Sequence, residues 1–384
     1  MNRLLKPVKN NRLNGSLLFA VYFIVNLLFL TKYGIRQSFV PLSILAAVFF
    51  VANAFLFSLE KWPQLKKIWT GKLVYILIAF IGIAYIGLCH VMKDPYKMNI
   101  DRWQTLEFSL EYWFKGKYIY DTPNFMGNLS SYLPGQLALS GIFYFLGNVG
   151  YLQVAAFLLF SYTVLVEFKN NLVRFKAILM LGVSLAYIYE VVCKSDFISS
   201  FIIVAAFMLF WSRRFKHDYF QKPVLLGLCT GLLCLTRSVV VIPLIIFLLQ
   251  PFIVTSWEKK IKFGVSFLFM VSVLLATVLL PAKSIDHLLQ YNPLILQGQS
   301  NKFVMLFFVV LAVIAAFYVK KIETVFYFSA YITFLVMLCF VGEQYLTLGI
   351  SYQNNFFSTT YLAGCLPFAV IGYCFALRNN LNEN

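Results

Sequence analysis

The chain has 384 residues, 61% of them hydrophobic and only 12% charged, with a formal net charge of +17. A soluble domain carries about 25% charged residues, and here apolar runs of 16 to 23 residues recur from end to end without the alternation of membrane β-strands. An ordinary soluble enzyme is excluded, and the chain reads as an all-α polytopic membrane protein.

The amino terminus, MNRLLKPVKNNR, has four positive charges and no negative ones, which predicts a cytoplasmic start. The first apolar run lacks a small-residue cleavage site and reads as a span rather than a signal peptide. About twelve spans are expected, at 16–31, 39–59, 73–92, 149–168, 175–193, 197–212, 222–237, 239–255, 261–281, 303–319, 323–341 and 357–377. With both termini inside, the cytoplasmic segments hold 21 Lys and Arg against 6 acids, and the outer segments 11 against 9. That asymmetry is what insertion favours, so the charge needs no nucleic-acid partner.

Between the third and fourth spans lies the longest polar stretch, 93–135, with five of the fifteen acids: Asp94, Asp101, Glu107, Glu111 and Asp121. From Asp101 to Lys115 apolar residues fall at helical spacing, predicting an amphipathic helix on the membrane with Glu107 and Glu111 on its wet face. Gly116 suits its left-handed cap. Tyr118, Tyr120 and Tyr132, with Trp103 and Trp113, form an aromatic group at interface depth that either anchors the loop or binds substrate. The apolar run 134–147 is short for a span and is expected to be re-entrant or interfacial.

Asp101 follows the third span by nine residues. A carboxylate there is placed to take a proton from an acceptor hydroxyl, or simply to cap the helix it opens. Asp196, in the outer turn CKSDF, is a second candidate whose plainer role is capping the next span. Glu190, near the end of its span, implies a cavity or an ion pair. The run 222–255 is too long for one span and has basic ends, so a tight hairpin brings Arg237 to the outer side. There an arginine either binds phosphate or snorkels to headgroups. The seven cysteines and three histidines lack metal-ligand spacing, so no metal is expected.

These residues resemble the first outer loop of the GT-C superfamily of integral membrane glycosyltransferases, and most nearly the family 87 branch of mannosyltransferase-like proteins. The likeness rests on Asp101 after a span, a helix ending at Gly116, Tyr118-Ile119-Tyr120, and Tyr132-Leu133-Pro134-Gly135. KSDFISSFIIVAAFMLFWSRR and LLGLCTGLLCLTRSVVVIPLIIFLL follow in the family's order. Two features depart from the pattern: Leu133-Pro134 replaces a double proline, and two spans precede the one before the loop.

The resemblance implies a hexosyltransferase that moves a sugar from a polyprenyl-phosphate donor to a glycan or lipid acceptor hydroxyl. Asp101 would be the general base and Arg237 the donor-phosphate contact. Asp196, Glu190, Tyr118, Tyr120 and Tyr132 are the substrate-binding candidates, and no cofactor or metal is needed. It also implies three parts: an N-terminal hairpin at 1–72, a catalytic module at 73–256, and C-terminal helices at 257–384. A polysaccharide polymerase, a lipid-linked saccharide flippase and a secondary transporter remain alternatives. The short loops suit a bacterial cytoplasmic membrane, with the endoplasmic reticulum as the other choice.

Overall fold

The structure, a computed structural model, describes residues 11–61, 70–96, 100–297, 301–348 and 359–383. Among these the chain is helical throughout, with one isolated β-bridge between Pro123 and Leu129. The long apolar helices α1 (Asn11–Gly34), α2 (Leu42–Ser58) and α3 (Gly71–Val91) lead into the polar loop, which carries α4 (Asp101–Phe114) and α5 (Pro134–Phe145). Then come α6 (Tyr151–Glu167), α7 (Asn171–Gly182), α8 (Leu185–Val192), α9 (Phe197–Arg214), α10 (Pro223–Cys234), α11 (Val241–Val254) and α12 (Trp257–Leu279). Two short helices, α13 (Ile285–Gln290) and α14 (Pro293–Gln297), precede α15 (Lys302–Tyr318), α16 (Ile322–Leu348) and α17 (Leu366–Glu383).

Among the described residues each of the twelve expected spans falls on helix, 175–193 on two of them; residues 357 and 358 of the last span lie outside the described residues. Seven helices among the described residues are long and apolar enough to cross a membrane, or eight if the bent pair α7–α8 is one span. The protein is thus a multi-pass helical membrane protein, but the length criterion does not reach twelve. Tyr151–Glu167, Pro223–Cys234, Ser238–Val254 and Lys302–Tyr318 are apolar yet only 10–17 residues long. Part of the late connection 342–356 is not loop, since α16 continues to Leu348; residues 349–358 lie outside the described set.

The helix expected at 175–193 is broken, with α7 and α8 meeting at 52° across Val183 and Ser184. A break inside lipid frees backbone groups that must find partners. Here α1 and α3 supply them. The Tyr22 hydroxyl donates to the Met180 carbonyl (2.9 Å), and that of Tyr85 to the Gly182 carbonyl (2.7 Å). The Asn26 side chain accepts from the Ser184 hydroxyl (2.8 Å) and the Ala186 amide (3.3 Å).

The core is centred on α17. In the segment Thr359–Leu381, 94% of the residues of its apolar 18-residue stretch are buried, and it packs against α1, α16, α7 and α9. At the other extreme, only 11% of the residues in the apolar 18-residue stretch of α12 are buried, and this helix rests mainly on α10. Glycine makes that contact close: a Cβ on Gly227 would stand 2.1 Å from Ser266 Oγ and 2.5 Å from the Phe263 carbonyl oxygen. Between lipid-facing helices such small residues let dispersion replace the missing hydrophobic drive.

Helix ends sort into two faces. One, the basic face, gathers the ion pairs Lys176–Glu60, Lys259–Asp218 and Arg378 with Glu167 and Glu323. The other, the loop face, carries α4, α5 and their connections. As expected for an interfacial helix, α5 has both ends on this face. Its start contacts the end of α10, where the Gln136 amide donates to the Leu235 carbonyl (3.2 Å). Beyond its end, the Asn148 side chain donates to the Cys89 carbonyl at the end of α3 (3.3 Å).

Candidate functional site

The loop folds onto the bundle as a small packed unit. Trp103, Leu106 and Leu110 of α4 bury against Tyr118, Ile119, Tyr120 and Tyr132. Gly116 ends α4 at φ +63°, the left-handed conformation its position requires. Tyr120 is fully buried and donates to the Tyr132 carbonyl (2.9 Å); the Tyr118 hydroxyl donates to the Tyr291 carbonyl (2.9 Å). The Tyr120 hydroxyl thereby ties the loop together, and that of Tyr118 ties it to the connection between α13 and α14.

Asp101 occupies the first helical position of α4, and the N-cap is Ile100, which makes no side-chain cap bond. The carboxylate does not cap the helix. Its Oδ2 accepts from Asn128 Nδ2 (2.9 Å) and Asn124 Nδ2 (3.4 Å), while Oδ1 accepts no hydrogen bond among the described residues. Asn124 is itself fixed by Thr105 (2.8 Å), whose hydroxyl also donates to the Asp101 carbonyl (2.7 Å). The result is a partly exposed carboxylate with one oxygen anchored and one open, an arrangement suited to accepting a proton.

On the bundle side of α4, four charged groups form two pairs. Arg237 Nη2 reaches both oxygens of Asp196, at 2.7 and 2.6 Å. Asp196 is 0% exposed and Arg237 9%. The guanidinium lies between the rings of Tyr132 (5.3 Å) and Phe197 (5.5 Å). Asp196 stands at the N-cap of α9 but makes no capping bond. That task falls to Glu190, whose Oε2 accepts from the Ile198 amide (3.0 Å) while Oε1 faces Arg102 (3.5 Å). Arg102 also donates to Thr360 (2.8 Å) and Ser195 (3.3 Å) and lies over the Tyr361 ring.

Tyr132 joins the two halves. Its hydroxyl donates to the Arg102 carbonyl (3.0 Å), and its ring faces Arg237. Burial, with the nearby Asp196 carboxylate, holds its hydroxyl pKa far above the usual phenol range, so it remains a donor. A small cavity of about 40 Å³ opens beside Arg237, Ser238, Gln297, Phe340 and Tyr361, room for about one water. Among the described residues the buried Arg237 Nε has no hydrogen-bond partner.

Asp101, Glu190, Asp196, Arg237 and Tyr132 thus converge on the loop face, whereas Tyr118 and Tyr120 lie in the packed interior of the loop. Arg102 escaped the sequence reading, although it adjoins Asp101 and had the spacing to reach the bundle. Asn124 and Asn128 escaped it too. Lys194 is a fourth: it takes φ +46° and places its ammonium 3.4 Å from the Trp103 ring centroid. Glu107 is half-buried: its Oε1 accepts from Trp103 Nε1 (2.7 Å), and desolvation raises its pKa. Glu111 is solvated, paired with Lys115.

No group of three or more metal-ligating side chains occurs among the described residues. The fold and this site define a multi-pass helical membrane protein with a charged, aromatic layer under a folded polar loop. No family model, curated protein or solved structure matches the chain.

Proposed function

We propose that the protein is a membrane glycosyltransferase that moves a sugar from a polyprenyl-phosphate donor to an acceptor hydroxyl at the loop face. The observation that carries this reading is the Asp101 carboxylate, anchored through one oxygen by Asn124 and Asn128 with the other open. It takes the acceptor proton as the oxygen attacks the anomeric carbon; the carbon–oxygen bond to the phosphate breaks, and the lipid phosphate leaves. Arg237, already paired with Asp196, and Arg102, beside Asp101 and one-fifth exposed, face the developing phosphate charge. Direct displacement inverts the anomeric centre.

On this reading all twelve apolar helices cross, the four short ones included, with the loop face extracytoplasmic and the basic face cytoplasmic. The sequence resemblance to GT-C enzymes supports it, as does the loop that closes over the charged pairs at one end of the helices. The setting we favour is a bacterial cytoplasmic membrane.

The test is an assay of membranes with a panel of polyprenyl-phosphate sugars, comparing wild type with Asp101→Asn. Donor consumption lost in the variant supports the reading; no consumption of any donor, or full activity in the variant, rejects it. Sidedness is tested by an impermeant thiol reagent on Met126→Cys, a site 45% exposed in the loop, with protection from outside reagent overturning the orientation.

A further inference from the structure

The basic face carries a cavity of about 570 Å³ that the loop-face chemistry does not use. It opens where the connection between α9 and α10, the start of α12 and the turn between α15 and α16 come together. Along α9 alone the two faces are separated by 18 residues, or about 27 Å of helix.

The rim holds Lys216, His217, Lys259, Lys320 and Lys321, and the one acid among the lining residues, Asp218, is paired with Lys259. Lys216, Lys320 and Lys321 are exposed and form no ion pair among the described residues. Ser256, at the N-cap of α12, also lines the cavity, and its side chain makes no capping bond. The first amides of α12 add their partial positive charge to that of the lysines, and the acid of that turn, Glu258, is paired with Lys262 and does not line the cavity. The deeper wall is apolar, from Ile246 and Phe247 to Val319 and Val325, and Val254, 79% exposed, continues it toward the outer flank of α11.

Positive-inside insertion accounts for lysines on this face. It does not account for their convergence on a cavity with a single neutralised acid and an apolar wall. A ligand that matches has a phosphate and a hydrocarbon chain. We propose that this cavity binds the headgroup of an anionic phospholipid, with the phosphate among Lys216, Lys320, Lys321 and the start of α12, and an acyl chain along the Val254 side. The inference is independent of what the loop face does.

Native mass spectrometry of the full chain in detergent, titrated with phosphatidylglycerol or phosphatidylcholine of identical chains, tests it. Retention of phosphatidylglycerol over phosphatidylcholine is expected. The triple variant Lys216→Gln, Lys320→Gln, Lys321→Gln is expected to lose roughly fivefold in affinity per lysine, on the order of a hundredfold in all. A control variant of the same charge, Lys61→Gln, Lys72→Gln, Lys169→Gln, removes lysines outside the cavity and should retain the lipid. Equal binding of the two lipids, or equal loss in both triple variants, overturns the proposal. Displacement of the lipid by millimolar inorganic phosphate would assign the cavity to a soluble phosphate and overturn it as well.

Discussion

On the loop face Arg237 meets Asp196, and Arg102 meets Glu190, with the two carboxylates 0% and 1% exposed. On the basic face Lys216, Lys320 and Lys321 stand exposed around a cavity with no carboxylate of their own. Both faces are rich in cations, yet the loop-face site has buried and neutralised its two arginines, whereas the basic face, which pairs Lys176, Lys259 and Arg378, leaves Lys216, Lys320 and Lys321 open. A buried pair contributes little net stability, because desolvation offsets attraction, but it holds its members in one geometry. An exposed cation contributes almost nothing to the fold and is free to meet a ligand. The first arrangement suits the support of a reacting group, and the second suits capture of a headgroup.

The largest effect is expected at Asp101. Asp101→Asn keeps the hydrogen bonds from Asn124 and Asn128 within reach but removes the base, so transfer should fall by about 10²- to 10⁴-fold. The melting temperature should be unchanged. Equal losses of activity and stability would show that Asp101 is merely part of the loop's packing.

Next in size is the buried pair. Asp196→Ala leaves the Arg237 charge buried without its partner and should destabilise the protein by about 3–5 kcal/mol. The double variant Asp196→Ala, Arg237→Met should recover much of that loss, because the stranded charge is gone. A melting experiment in which the double variant is no better than the single would contradict a desolvated pair here.

Gly135→Ala probes the seam between loop and bundle. A Cβ there would lie 2.4 Å from the Leu232 carbonyl oxygen and 2.7 Å from the Leu235 carbonyl, backbone atoms that cannot swing aside. Overpacking of this kind costs about 1–3 kcal/mol. Thermal unfolding, followed together with proteolysis in the 118–131 segment, should show the loop loosening before the bundle.

The helices were legible in the sequence because apolar runs carry their own signal, and so was the convergence of Asp101, Asp196 and Arg237 on one face, which follows from counting crossings. The pairing was not. Asp196 and Arg237 lie 41 residues apart, and each had a sufficient local explanation, a helix cap for one and a lipid phosphate for the other. The break at Val183 was equally hidden, because its partners Tyr22, Asn26 and Tyr85 come from helices far earlier in the chain. Gly182 and Ser184 were the local hint, one removing a side chain at the break and the other starting the next helix as its N-cap. Charge that is buried by tertiary contacts leaves no mark in the spacing of its own element.

Glu107 gives the smallest and most diagnostic effect. It sits in α4 between Trp103 and Lys194, and burial raises its pKa, with the Trp103 hydrogen bond and the Lys194 charge opposing that rise only in part. A carboxyl whose folded pKa is raised holds its proton more tightly when folded. Its contribution is therefore complete below the ordinary carboxylate range and is lost as pH rises through the higher, folded value. Near pH 7 the ionised side chain weakens the loop. Glu107→Gln keeps an acceptor for Trp103 and cannot ionise, so it should raise the melting temperature slightly at pH 7 and leave it unchanged near pH 4. Burial lowers the pKa of Lys194, and loss of the Glu107 charge lowers it further, which trims the gain without reversing it. Melting curves across pH 4 to 8 decide the matter: a difference between variant and wild type that does not grow with pH would place Glu107 in water after all, and with it the loop's outer surface.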